Sequence, residues 1–109
     1  MDRGFDVSHY NAISDANAAR AAGWTFAWCK ASQGATGVDT SFAPKVGQLR
    51  AAGFVVGAYH FLDGTDPAAQ GRHFRQVAGD AGCLNLGALI PMADLVDPNR
   101  IRVGQTLVY

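Results

Sequence analysis

Arg20-Ala21-Ala22-Gly23-Trp24 returns thirty residues later as Arg50-Ala51-Ala52-Gly53-Phe54. Each copy ends an Ala-rich helical stretch with a glycine and opens an apolar run. That is the signature of a helix handing over to a strand, and a thirty-residue period is the length of one βα unit. Near-continuous apolar strands between helices point to a parallel sheet covered on its faces.

The remaining elements fall into the same alternation. A strand is expected over 5–9, a helix over 14–22 with Ser14 as cap, and an aromatic-rich strand over 24–31 before the turn-like Gln33-Gly34. A second helix fits 40–52, capped by Thr40 and stopped by Gly53, and a strand follows over 55–62. Asp66-Pro67 starts a third helix running to about residue 78, since proline suits the first helical position. A fourth strand is expected over 89–96. The fold class is therefore α/β, a truncated (β/α) barrel with about three to four parallel strands alternating with helices. A closed barrel usually takes roughly 200–250 residues, so 109 residues predict a partial one. Residues 1–90 would form it, and 91–109 a fourth strand or a tail.

Nine basic and nine acidic side chains balance, so no global field draws the chain to nucleic acid or to an anionic membrane. The N-terminus lacks a signal-peptide pattern, and no apolar run reaches the length of a membrane span. Cys29 and Cys83 fit neither a zinc spacing nor a disulfide framework and are read as thiols. No metal site is expected: His9 and His60 have no third partner at ligand spacing and read as structural histidines, while His73 reads as solvated. Trp24, Phe26 and Trp28 read as core packing.

Parallel α/β folds place their chemistry at the C-terminal ends of the strands. Strand alternation pairs Asp6 with Ser8, Lys30 with Ser32, Tyr59 with Phe61 and Asp94 with Val96 on common faces. A single ring would then hold Asp6, Lys30, Tyr59 and Asp94, with the Tyr59 hydroxyl offering a polar tip for a sugar.

Three spaced motifs carry a resemblance. Gly4-Phe5-Asp6-Val7-Ser8-His9-Tyr10-Asn11, Lys30-Ala31-Ser32-Gln33-Gly34 and Gly57-Ala58-Tyr59-His60-Phe61, followed by Ala68-Ala69-Gln70 and Phe74, resemble the N-terminal half of the family 25 glycoside hydrolases, the lysozymes of that family. The resemblance implies an N-acetylmuramidase that hydrolyses the β-1,4 bond between N-acetylmuramic acid and N-acetylglucosamine in peptidoglycan, with no metal or organic cofactor. It implies an extracellular or cell-wall location and fits a phage or prophage origin. It places the catalytic carboxylates on Asp6 and Asp94, and substrate contacts on Lys30, Ser32, Gln33, Tyr59 and Phe61.

The family's fourth-strand pattern, an aspartate, any residue, then a glutamate acting as general acid, falls on Asp94, Leu95 and Val96. Valine cannot donate a proton, and losing a positioned acid costs on the order of 10²- to 10⁴-fold in rate. Asp97 could substitute only through a bulge, because in a regular strand it points away from Asp94. Catalytic impairment is the expectation. Residues 95–109 also resemble the second half of a LysM module, which binds glycans containing N-acetylglucosamine.

Three functional readings follow: a muramidase using Asp6 with Asp94 or Asp97, a peptidoglycan-binding protein without catalysis, and a structural relic. Val96 favours the second and third for the isolated chain. Open edges on the first and last strands predict a homodimer or a larger assembly that covers them.

Overall fold

The computed structural model describes residues 2–83 together with the backbone of a strand at 106–108. In chain order the elements are β1 (Arg3–Val7), α1 (Ala16–Ala21), β2 (Trp24–Gln33), β3 (Gly37–Val38), α2 (Phe42–Ala51), β4 (Val55–Phe61), α3 (Pro67–Asp80) and β5 (Thr106–Val108). They form one sheet in the order β1-β2-β4-β5, with β3 on the end of β2. β1, β2 and β4 run parallel, whereas β3 and β5 pair antiparallel with β2 and β4.

The sequence echo marks two equivalent corners. Gly23 and Gly53 both take positive φ, 100° and 92°, directly after the helices that Ala22 and Ala52 close. Glycine enters this left-handed region without the steric cost a Cβ imposes, so the helix can stop and the next strand begin one residue later. The helix starts differ by one residue from expectation. Asp15, not Ser14, caps α1 by accepting from the Ala18 N–H at 2.9 Å, and Ser41, not Thr40, precedes α2 without a side-chain cap bond. Asp66 caps α3 through the Ala69 N–H at 3.1 Å, with Pro67 at the first helical position as expected.

One side of the sheet carries the core. Ala27, Cys29, Ala31, Val56 and Ala58 are buried there against Phe42, Val46 and Leu49 of α2 and Phe74 and Ala78 of α3. Small side chains on the strands let the helices approach closely, and the large ones come from the helices. A fully buried Leu49 or Phe74 contributes about 1.5–3 kcal/mol by leaving water.

Two irregularities in β2 set which residues face which way. Thr25 is extra at the start, opposite the Arg3/Gly4 step, and Ala31 is extra between Lys30 and Ser32. The first turns Trp24 onto the helix side, where its ring packs edge-on against Phe5 at 5.9 Å. The second reverses the alternation that the sequence predicts for the end of the strand.

The expected fourth parallel strand over 89–96 lies outside the described residues. Beside β4 stands β5 instead, pairing Tyr59 with Val108 and Phe61 with Thr106. The outer edge of β4 is therefore covered over those residues, while β1 has one neighbour, β2, among the described residues.

Candidate active site

The face of the sheet away from the helices holds the polar strand ends. Register places Asp6 beside Trp28 and Lys30 beside Tyr59, and after the Ala31 bulge Gln33 beside Phe61. With alternation along each strand, Asp6, Trp28, Lys30, Gln33, Tyr59 and Phe61 share one face at the C-terminal end of the parallel strands. Phe26 belongs to it too, its ring lying over Gly4, where an added Cβ would sit 2.0 Å from the ring edge. Only glycine at position 4 leaves room for that ring.

Ser32 does not join this face. The extra residue at Ala31 turns it to the helix side, where it is 0% exposed and its hydroxyl lies 2.7 Å from His60 Nδ1. Gln33 takes the place that unbroken alternation would give Ser32. Its amide oxygen accepts from the Lys30 ammonium at 2.7 Å, and that ammonium stands 4.4 Å from the Phe61 ring centroid. The cation is thus held by an amide and an aromatic face, a contact that gains strength where water is excluded.

Tyr59 is buried, and its hydroxyl donates to the Val7 carbonyl at 3.2 Å. The polar tip expected to be free for a sugar is committed to the main chain of β1. Burial, with the charges of Asp6 and Asp39 adding, pushes the phenol up to about 12, so it remains a donor at neutral pH. Tyr59 thereby ties the end of β1, next to the exposed Asp6, to β4 across β2.

The loop after β1 is fixed from the other direction by Asp39. This buried carboxylate accepts from the His9 main-chain N–H at 2.8 Å, the Ser41 N–H at 2.9 Å and the Ser41 hydroxyl at 2.6 Å, and contacts His9 Nδ1 at 3.2 Å. Burial alone would raise its pKa, but the Ser41 and His9 bonds outweigh it and hold the carboxyl below its ordinary value of 3.8. Lys45 adds bonds from its ammonium to the Ser8 carbonyl and the Ser41 hydroxyl.

On the helix side, His60 is the centre of a closed network. Gln70 Nε2 donates to the Asp63 and Thr65 carbonyls at 3.0 and 2.8 Å, so its Oε1 is the acceptor for the Asp63 N–H and for His60 Nε2 at 3.0 Å. His60 therefore carries its proton on Nε2, and Ser32 donates to Nδ1. The structural reading of His60 matches this geometry. His73, expected in solvent, is half-buried and bonds the Gly37 carbonyl at 2.8 Å. The correction follows from β3, a two-residue strand that brings Gly37 beside α3.

Burial lowers the His60 pKa below its ordinary 6.5 and Asp39 lies below 3.8, so both groups take up protons more readily in the unfolded chain. Stability is then fully present above pH 6.5 and declines as pH falls through the His60 window, with a further decline below about 4 from Asp39. Urea midpoints measured from pH 8 to 3 should show this descent; a profile flat from 6.5 to 5 would contradict the His60 assignment.

Cys29 and Cys83 are buried free thiols, and burial pushes Cys29 up to about 12. Among the described residues no group of three or more His, Cys, Asp or Glu is placed to hold a metal ion, and no helix is long and apolar enough to cross a membrane. Asp94, Val96 and Asp97 lie outside the described residues, so the structure does not place the expected carboxylate partners of Asp6. Trp28, read from sequence as core, is instead half-buried beside Asp6. Counting back in twos from Lys30 gives that position.

The comparisons with known proteins give the family. The model for "Glycosyl hydrolases family 25" matches residues 5–95. Lysozyme M1 of Streptomyces globisporus is 32% identical over 71% of this chain and 27% of its own length. The autolytic lysozyme of Clostridium acetobutylicum is 29% identical over 66% of this chain and 22% of its own. The chain thus spans about a quarter of the curated relatives it matches. Among solved structures, a family 25 glycosyl hydrolase from Bacillus anthracis superposes with a TM-score of 0.66 at 27% identity, covering 70% of this chain and 36% of that one. A family 25 lysozyme from Aspergillus fumigatus gives 0.63 at 32% identity, covering 67% and 36%. With most of its length matched by the family model and about two thirds of it superposing on solved members, the chain belongs to glycosyl hydrolase family 25.

Proposed function

We propose that this chain forms the opening part of a peptidoglycan muramidase, a (β/α) barrel whose first strands supply the sugar-binding floor and one working carboxylate. The observation that carries the reading is the shared face of Asp6, Lys30, Gln33, Tyr59 and Phe61 at the C-terminal ends of parallel strands. Asp6 is exposed there, and the Tyr59 bond to Val7 fixes the strand end that presents it. In glycoside cleavage such a carboxylate stabilises the oxocarbenium-like centre or assists attack on it, while a second group protonates the leaving oxygen. Aromatic faces at Phe61 and Trp28 suit the apolar faces of a pyranose, and the Gln33 amide suits its hydroxyls.

The described residues 2–83 make up this floor, and β5 at 106–108 adds a short antiparallel strand beside β4. Peptidoglycan is the substrate, at the cell wall. Purified cell wall tests the reading by cosedimentation and by release of reducing ends. The chain is expected to sediment with the wall, and Asp6→Asn to sediment equally while its release of reducing ends falls by about tenfold or more. Failure of the unsubstituted chain to sediment would overturn the proposal.

A further inference from the structure

Tyr10 stands 84% exposed on the loop that leaves β1, four residues beyond Asp6. An exposed aromatic alone means little, but this one is held on a fixed frame. All four main-chain N–H groups from Ser8 to Asn11 are bonded. Ser8 donates to Asn11 Oδ1 at 3.0 Å, His9 to Asp39 at 2.8 Å, Tyr10 to Ser8 Oγ at 3.2 Å and Asn11 to the Ser8 carbonyl at 2.9 Å. Lys45 anchors the Ser8 carbonyl from α2. The His9 ring, itself fixed by the buried Asp39, lies 3.9 Å from the Tyr10 ring, centroid to centroid, at a tilt of 39°.

Nothing in the described core uses the Tyr10 ring, yet its loop is ordered bond by bond and its ring backed by a second one. Such a frame loses little conformational freedom when a ligand arrives, which is the usual advantage of preorganisation. We propose that Tyr10, backed by His9, is an additional sugar-stacking platform at the rim of the Asp6 face, taking the apolar face of a pyranose ring in a β-1,4-linked N-acetylhexosamine chain. An aromatic ring with a polar tip suits that ligand, whose rings present C–H groups on their faces and hydroxyls at their edges. The occupant is a glycan strand because the Tyr10 loop leaves the C-terminal end of β1, the strand end that presents Asp6 to the face proposed above to hold one, and the inference rests on that reading.

The test is isothermal titration with a soluble β-1,4-linked N-acetylglucosamine tetramer. Tyr10→Ala is expected to weaken binding by about tenfold, Tyr10→Phe and Tyr10→Trp to stay within about twofold, and His9→Ala to fall between. Because Tyr10 is exposed, its substitutions should leave the thermal midpoint nearly unchanged, which separates a lost contact from a lost fold. Equal binding by the unsubstituted chain and Tyr10→Ala would refute the platform while leaving the proposed function intact. No binding by the unsubstituted chain would overturn both.

Discussion

Gln70→Ala is expected to destabilise the fold by about 3–5 kcal/mol, enough to leave a small domain largely unfolded in mild denaturant. One side-chain amide makes four bonds: it receives the His60 Nε2–H and the Asp63 N–H, and it donates to the Asp63 and Thr65 carbonyls. Alanine removes all four together. His60, fully buried, is left without that bond at about 1–3 kcal/mol, and the rest comes from the cavity left by a side chain that is 1% exposed and from the partly buried groups at Asp63. The damage would extend to the candidate site, because the loop that Gln70 holds follows directly from Phe61, and the Phe61 carbonyl receives the Gly34 N–H at 3.0 Å. Urea denaturation gives the magnitude, and faster amide exchange at Asp63 locates it. A loss below about 1 kcal/mol would show that the network is dispensable.

The parts of this fold that were readable in the sequence are those set by local rules. The repeated Arg-Ala-Ala-Gly corners, the Asp66-Pro67 helix start and the parallel β1, β2 and β4 each follow from residues within a few positions of one another. What was not readable depends on pairing across the chain. An extra residue at Ala31 looks like any alanine in an apolar run, yet it exchanges Ser32 for Gln33 on the site face. Ser32, His60 and Gln70 meet only because β2, β4 and α3 pack together, and His9 meets Asp39 across thirty positions. β3 has two residues and carries no periodic signal, so the bond from His73 to Gly37 was invisible as well. Asp6, Lys30, Tyr59 and Phe61 were brought to one face as alternation predicts; the commitment of the Tyr59 hydroxyl to Val7 needed the register of three strands.

The second large effect is a gain. Val96→Glu is expected to raise reducing-end release from cell wall by on the order of 10²- to 10⁴-fold, the usual contribution of a positioned general acid. The Asp94-Leu95-Val96 resemblance implies a proton-donating glutamate at position 96, and a valine there can neither protonate the leaving oxygen nor hold a water that would. One side chain cannot both support the developing positive centre and protonate the leaving oxygen in the same step, so Asp6 fills one role and a second group must fill the other. Val96→Gln sets the control: it matches glutamate in shape and hydrogen-bonding reach without an acidic proton, and it should stay near the starting rate. Adding Asp6→Asn to Val96→Glu should remove most of the gain, since an acid without its opposing carboxylate leaves the developing positive centre unsupported. The gain should also fade as pH rises, because only the protonated glutamate donates. If Val96→Glu and Val96→Gln release reducing ends at the same rate, position 96 is not the acid's place, and the proton must come from elsewhere, Asp97 or Asp94 being next in line.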